Sequence, residues 1–250
     1  MLDIKCGNLV FSNIEAILFD KDGTLEDSKG YLRQLGQRVA KLVDAEFSGL
    51  EQPLLTAFGI DGDSLDPAGL IAVGSSSETA IATAAYIAQT GCSWFKSLAI
   101  ARQAFHSAEK HIGNIPCPIF AGATEVLKNL TKAGLKLGIL SAARTDEVRA
   151  FVKYHYLSDY IQVQIGVDGG PSKPDPILFL QACRSLGVEP GYTLMVGDST
   201  GDMQMALNAK AAGCIGISWI KKFDNLIGAD VLISRLDEIE VINKQHLSLL

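Results

Sequence analysis

Two carboxylates stand two residues apart, Asp20 and Asp22, in the stretch FDKDGTLEDS (19–28) that directly follows the apolar run IEAILF. Like charges that close repel each other, and folding stability alone gives no reason to accept that cost. The pair therefore calls for a positive partner. Further along the chain, Ser141 closes the apolar run LKLGIL, Lys173 sits in GGPSKPDP, and Asp198 and Asp202 fall in GDSTGD after YTLMVG. Taken singly, each has an ordinary explanation: Asp20 as a turn or cap carboxylate, Ser141 as a cap, Lys173 as a solvated lysine, GDSTGD as a turn entering a helix. An EF-hand is excluded by spacing, because a calcium loop opening at Asp20 would need Gly in place of Leu25 and Glu in place of Tyr31.

The elements that must position these residues are short apolar runs alternating with helical patterns. NIEAILFD (13–20), LKLGIL (135–140), YIQVQIG (160–166), YTLMVG (192–197), AGCIGIS (212–218) and ADVLIS (229–234) predict strands, apolar throughout as a parallel sheet covered on both faces requires. Helices are predicted in GATEVLKNLTKAG, with Gly134 as its stop, in PILFLQACRSLG, with Pro176 in the first turn and Gly187 as a cap, and in GDMQMALNAKAAG. In an open parallel sheet, ligands bind at the carboxyl ends of the strands. Asp20, Asp22, Ser141, Lys173, Asp198 and Asp202 all follow predicted strand ends, and that convergence is the main observation.

Between the first strand and the rest lies an insertion of different texture. Leu32, Leu35, Val39, Leu42 and Val43 form one helical stripe, and Phe95, Leu98, Arg102 and Phe105 a second; SSSETAIATAAYIAQTG (75–91) reads as an Ala-rich helix opening at a Ser cap and stopping at Gly91. These stripes read as helical core. Residues 27–115 are thus expected to form a helical domain, with NIPCPIFAG linking back and residues 1–26 and 116–250 forming the α/β core. Arg33, Lys96, Arg102, His106 and Lys110 are candidates for reading an anionic substrate, although such residues more often line solvated helix faces. The turn-rich stretch 62–79 is the candidate lid loop.

Composition bounds the reading. A net charge of −6 and 48% hydrophobic residues describe a globular chain without a broad basic footprint for nucleic acid or anionic membrane. The cysteines Cys6, Cys92, Cys117, Cys183 and Cys214 lie far apart, without metal or redox spacing, as expected of buried thiols in a reducing compartment. No secretory signal and no run of about 20 apolar residues is seen, so a cytoplasmic protein is expected, as monomer or homodimer.

The combination FDKDGT, Ser141 closing a strand, Lys173 in KPDP, and GDSTGD resembles the four motifs of the haloacid dehalogenase (HAD) superfamily, and the helical insertion resembles the small cap of phosphoglycolate-phosphatase-like members. The resemblance spans about residues 14 to 235. It implies a Rossmann-like, doubly wound core and Mg2+-dependent hydrolysis of a small phosphorylated metabolite, with phosphoglycolate as the first substrate to consider. Asp20 would be the nucleophile forming an aspartyl-phosphate, Asp22 the general acid and base, and Lys173 the cationic partner of both Asp20 and the phosphoryl group. Gly23, Thr24, Ser141, Ala142 and Lys173 would bind the phosphate. Asp20, the backbone carbonyl of Asp22, Asp198 and Asp202 would hold Mg2+, and the insertion would act as a lid. Asp22 resembles the phosphatase and phosphomutase branches, and Thr24 the phosphatases; Ala142 and Ala143 depart from the Asn often found there. A phosphomutase of the same fold and a non-catalytic binding protein are the alternatives.

Overall fold

A computed structural model describes residues 1–113, 115–219 and 226–242. The predicted linker residue 114 and, within the predicted core, residues 220–225 and 243–250 lie outside the described residues. The chain opens with strands β1 (Leu2–Cys6), β2 (Leu9–Ile14) and β3 (Ala16–Asp20). Next come helices α1 (Lys29–Asp44) and α2 (Glu51–Phe58), the short strands β4 (Ile60–Asp61) and β5 (Ser64–Leu65), and helices α3 (Leu70–Val73), α4 (Ser76–Ala88) and α5 (Trp94–Ile112). It continues as α6 (Ala123–Lys132), β6 (Lys136–Leu140), α7 (Thr145–Tyr154), β7 (Val163–Ile165), α8 (Ile177–Leu186), β8 (Thr193–Gly197), α9 (Thr200–Asn208), β9 (Gly213–Ile217), β10 (Val231–Ile233) and β11 (Ile239–Ile242). Two compact units result, one of Met1–Asp27 with Pro118–Leu250 and one of Ser28–Cys117.

The first unit is built on a six-stranded parallel sheet of order β10-β9-β8-β3-β6-β7, the α/β arrangement expected of a doubly wound core. Its central strand β3 is buried along its whole length. Alternation sends Ile17 and Phe19 to one face, where they pack with Leu137, Ile139, Leu194 and Val196, and Ala16 and Leu18 to the other, with Leu140, Met195 and Phe179. Two separate cores thus clamp the strand that carries Asp20. Gly187 closes α8 in the left-handed conformation, the role read from sequence, whereas Pro176 is the N-cap residue and not part of the first turn.

Several elements differ from the sequence reading. The predicted strand at 13–20 is divided: residues 13–14 end β2, where Asn13, at a positive φ of 61°, sits at the register shift between β1 and β2, and β3 begins only at Ala16. β2 belongs to a separate antiparallel sheet of order β11-β1-β2 that was not anticipated. Its strands are half polar and short, and their pairing joins the chain's start to its end, which local pattern does not reveal. Helix α7 was likewise missed: its polar opening RTDE masks the buried Val148, Phe151 and Val152.

The second unit is helical. Leu35, Val39 and Val43 of the first predicted stripe are buried. Helix α4 opens with the expected Ser cap, a reciprocal capping box between Ser75 and Glu78, but it ends at Ala88 before Gly91. The second stripe needs correction. Phe95 is 84% exposed, and the buried face of α5 is Ser97, Ala101, Ala104, Phe105 and Ala108. Small residues on α5 pack in the same cluster as Ala80 and Ala84 of α4, beside the buried ring of Phe105. The turn-rich stretch after α2 is a small hairpin, β4–β5, with α3 following. Arg33 donates to the Asp63 carbonyl and pairs with its carboxylate at 3.4 Å, while Gln37 donates to the Gly62 carbonyl at 3.0 Å. Arg33 is therefore a strut within its own unit.

The doubly clamped β3 should be the most sensitive element. Phe19→Ala, at a fully buried site, is expected to lower unfolding stability by about 3–5 kcal/mol, read as a lowered urea midpoint.

Candidate active site

The sheet order explains why residues far apart in sequence meet. β3 is flanked by β6 and β8, all three parallel, so their carboxyl ends lie along one edge. In the register, Asp20 pairs with Leu140, directly before Ser141, and Phe19 pairs with Val196, two residues before Asp198. Asp20 is only 4% exposed, Asp202 1%, and Ser141 is fully buried.

Carboxylate oxygens of Asp20, Asp198 and Asp202 all lie within 4.8 Å of one another. Lys173, which precedes a cis peptide to Pro174, donates to Asp20 and forms an ion pair with Asp202 Oδ1 at 2.6 Å; its side chain is 6% exposed. The second oxygen of Asp202 is used structurally, accepting from the Ser199 hydroxyl at 2.6 Å in the capping box that starts α9. Among the described residues, no salt bridge reaches Asp198. Burial, followed by the charges of Asp20 and Asp202, pushes the Asp198 carboxyl well above the usual carboxylate range. Burial likewise drives Asp20 up to about 7 against the opposing pull of Lys173. Burial alone would lower Lys173, but Asp20 and Asp202 override it and hold the ammonium charged.

Asp22 points its carboxylate elsewhere. Oδ1 accepts from Lys21 Nζ at 2.7 Å and Oδ2 from Ser141 Oγ at 3.2 Å. Lys21 also donates to Glu26, and its ammonium lies 5.8 Å from the Phe151 ring centroid. Neither Lys21 nor Glu26 was singled out from sequence. The available signal was a lysine placed between two strand-end aspartates beside a fully apolar strand, a position where burial demands pairing. Trp219 was missed as well: its indole N–H donates to the Gly23 carbonyl at 3.0 Å and its ring stacks on Phe120, 4.1 Å between centroids. The turn between Asp20 and Glu26 is thereby fastened from outside.

The expected phosphate-binding residues divide by what they offer. Gly23 (φ 78°) donates its N–H to the Glu26 carbonyl at 2.9 Å, and the Thr24 N–H points to the Lys21 carbonyl at 3.4 Å. Gly23 serves a steric purpose, since a Cβ there would overlap the Asp198 carboxylate. The Thr24 hydroxyl is buried and has no hydrogen-bond partner among the described residues. Ser141 commits its N–H to the Ile165 carbonyl at 3.0 Å, and its hydroxyl oxygen accepts the Ala143 N–H at 3.0 Å. Ala142 sits between these two residues, half-buried.

The donor set fits a hard divalent cation. Its oxygens are all carboxylate, those of Asp20 and Asp202 are buried and those of Asp198 partly so, and among the described residues no salt bridge reaches Asp198. A glycine keeps that carboxylate's space clear.

A parallel α/β core with a carboxylate cluster and a buried lysine at its strand ends defines the class, and comparison with known proteins agrees with it. The family model for haloacid dehalogenase-like hydrolase matches residues 14–210, and the chain belongs to that family. It is 33% identical to a phosphoglycolate phosphatase of Thiobacillus denitrificans over 120 residues, a match covering 46% of this chain and 52% of the relative, so that it spans about half of that protein's length. A longer match, 27% identical over 215 residues, links 84% of the chain to 83% of a phosphoglycolate phosphatase of Escherichia coli. The fold is shared with a solved β-phosphoglucomutase of Clostridium difficile at a TM-score of 0.61 and 18% identity, covering 94% of this chain and 96% of that one. No helix among the described residues is long and apolar enough to cross a membrane.

The electrostatics make a stability prediction with a definite sign. Because Asp20 titrates near 7 when folded and near 3.8 ordinarily, the folded chain retains protons that the unfolded chain has lost. That contribution is full in acid and fades as pH rises through this window. In EDTA, Tm is expected to fall between about pH 5 and about pH 7.5, and added Mg2+ to restore it most at the upper end. Asp198→Asn should raise the metal-free Tm at about pH 7.5 and abolish the Mg2+ response. Thermal scans of both proteins with and without the ion check this.

Proposed function

We propose that the chain is a Mg2+-dependent phosphatase that hydrolyses a small phosphate monoester through an aspartyl-phosphate on Asp20. The observation that carries this reading is the buried Asp20–Lys173–Asp202 ion pairing with Asp198 beside it, which no salt bridge reaches among the described residues. A lone nucleophile would not need three carboxylates, and a structural ion pair would not gather a third beside it.

In this reading the Asp20 carboxylate attacks phosphorus as the bond to the leaving oxygen breaks, and Asp22 delivers a proton to that oxygen. Asp22 then takes a proton from the water that displaces phosphate from Asp20. Lys173 bridges nucleophile and phosphoryl oxygens and offsets the charge that brings two anions together. The Thr24 hydroxyl, without a hydrogen-bond partner among the described residues, the Ala142 N–H, and the Ser141 hydroxyl once turned from Asp22 Oδ2 would hydrogen-bond the phosphoryl oxygens. Asp20, Asp198, Asp202 and the backbone carbonyl of Asp22 would hold the cation, which when bound supplies Lewis-acid stabilisation of the charge on the transferring group. Small phosphorylated metabolites such as phosphoglycolate are the substrate class to test, on the strength of the relatives' names and of the net charge, which offers no footprint for a polyanion.

The expected outcome is phosphate release from a panel of small esters that requires Mg2+, stops with EDTA, and is lost by at least about 10³-fold in Asp20→Asn. Release that survives in Asp20→Asn would contradict the assignment, and formation of a bisphosphate without net release would turn it into a phosphomutase.

A further inference from the structure

Lys21 lies between two carboxylates in the interior. It donates to Asp22 Oδ1 at 2.7 Å and to Glu26, with 7% of its own side chain exposed, 22% of that of Asp22 and 4% of that of Glu26. Burying such a triad costs desolvation that an apolar side chain would avoid. The turn does not require it, because the Lys21 carbonyl already accepts the N–H groups of Leu25 at 2.9 Å and Glu26 at 2.8 Å. Glu26 is fixed in turn by its bridge to Ile119, so the ammonium is gripped from behind while it presents to Asp22. Asp22, the most exposed member of the triad, has its two oxygens held unequally: Oδ1 by the ammonium, Oδ2 by a longer 3.2 Å bond from Ser141.

We infer that Lys21 is a positioning residue for proton transfer: by anchoring Oδ1 it leaves Oδ2 as the oxygen that exchanges protons with substrate. This role rests on the phosphatase reading above and deepens it. In the first step the Asp20–phosphorus bond forms and the bond from phosphorus to the leaving oxygen breaks. The electron pair stays on that oxygen, which takes the proton from Asp22 Oδ2. In the second step a water oxygen bonds to phosphorus, the Asp20–phosphorus bond breaks, and the water's proton returns to Oδ2. The device matters only for strongly basic leaving groups, so the structure points to esters of aliphatic alcohols, whose alkoxides cannot leave without a proton.

The test compares kcat/KM for a small alkyl phosphate and for 4-nitrophenyl phosphate, whose leaving group needs little protonation. Lys21→Met is expected to lose about 10²–10³-fold on the alkyl ester and less than about tenfold on the aryl ester, with Lys21→Arg recovering part of the loss. The double variant Lys21→Met/Glu26→Gln removes the carboxylate left uncompensated and should show the same selective loss in a folded protein. An equal loss on both esters in a folded variant overturns the positioning role alone. Failure of both Lys21→Met variants to fold assigns Lys21 to structure and overturns it too. Absence of release from either ester by the unmodified protein overturns the phosphatase reading itself, and the role with it.

Discussion

Burial of like charges at the ends of adjacent parallel strands is the constraint on which this site depends. Asp20, Asp198 and Asp202 are brought within 4.8 Å by a register that pairs β3 with both β6 and β8. Solvent screens them poorly there, and Lys173 pairs with Asp20 and Asp202 while supplying one positive charge for three carboxylates. The excess of carboxylates is a standing cost to the fold, met by apolar packing on both faces of β3, and a bound cation would offset it. The same logic recurs one turn away, where Lys21 is held between Asp22 and Glu26.

Much of this was legible in the sequence because it is local. Strands that are apolar throughout mark a sheet covered on both faces, and carboxylates, serine and lysine immediately after such strands mark its functional edge. Asp20, Lys173, Asp198 and Asp202 converge on that edge. What escaped was non-local or masked. The β11-β1-β2 sheet joins the two ends of the chain, and no periodicity within MLDIKCGNLVFSN announces a partner more than two hundred residues away. Lys21 reads as an ordinary exposed lysine until Glu26 is folded back onto it. Trp219, likewise, reads as an unremarked aromatic until its N–H is seen on the Gly23 carbonyl.

The helical unit teaches a related lesson about stripes. Phe95 carries the right spacing for a core position and is nevertheless exposed, because α5 packs through Ala101, Ala104 and Ala108. Hydrophobic spacing identifies a helix more securely than it identifies the face that is buried, since alanine permits close approach and a bulkier neighbour can be turned outward. Arg33 shows the corresponding hazard for charge: a cation that reads as a substrate contact is spent on the β4–β5 hairpin.

The central claim, that Asp20 is the covalent nucleophile, is tested most directly by trapping its phosphoryl adduct. Asp22→Ala lacks the base for the second step but retains the nucleophile, so with Mg2+ and 4-nitrophenyl phosphate it should release a burst of nitrophenolate stoichiometric with enzyme. The peptide containing Asp20 should then carry a hydroxylamine-labile phosphoryl group by mass spectrometry. A phosphoryl group on any other residue, or an equal burst from the Asp20→Asn/Asp22→Ala double variant, would contradict the account.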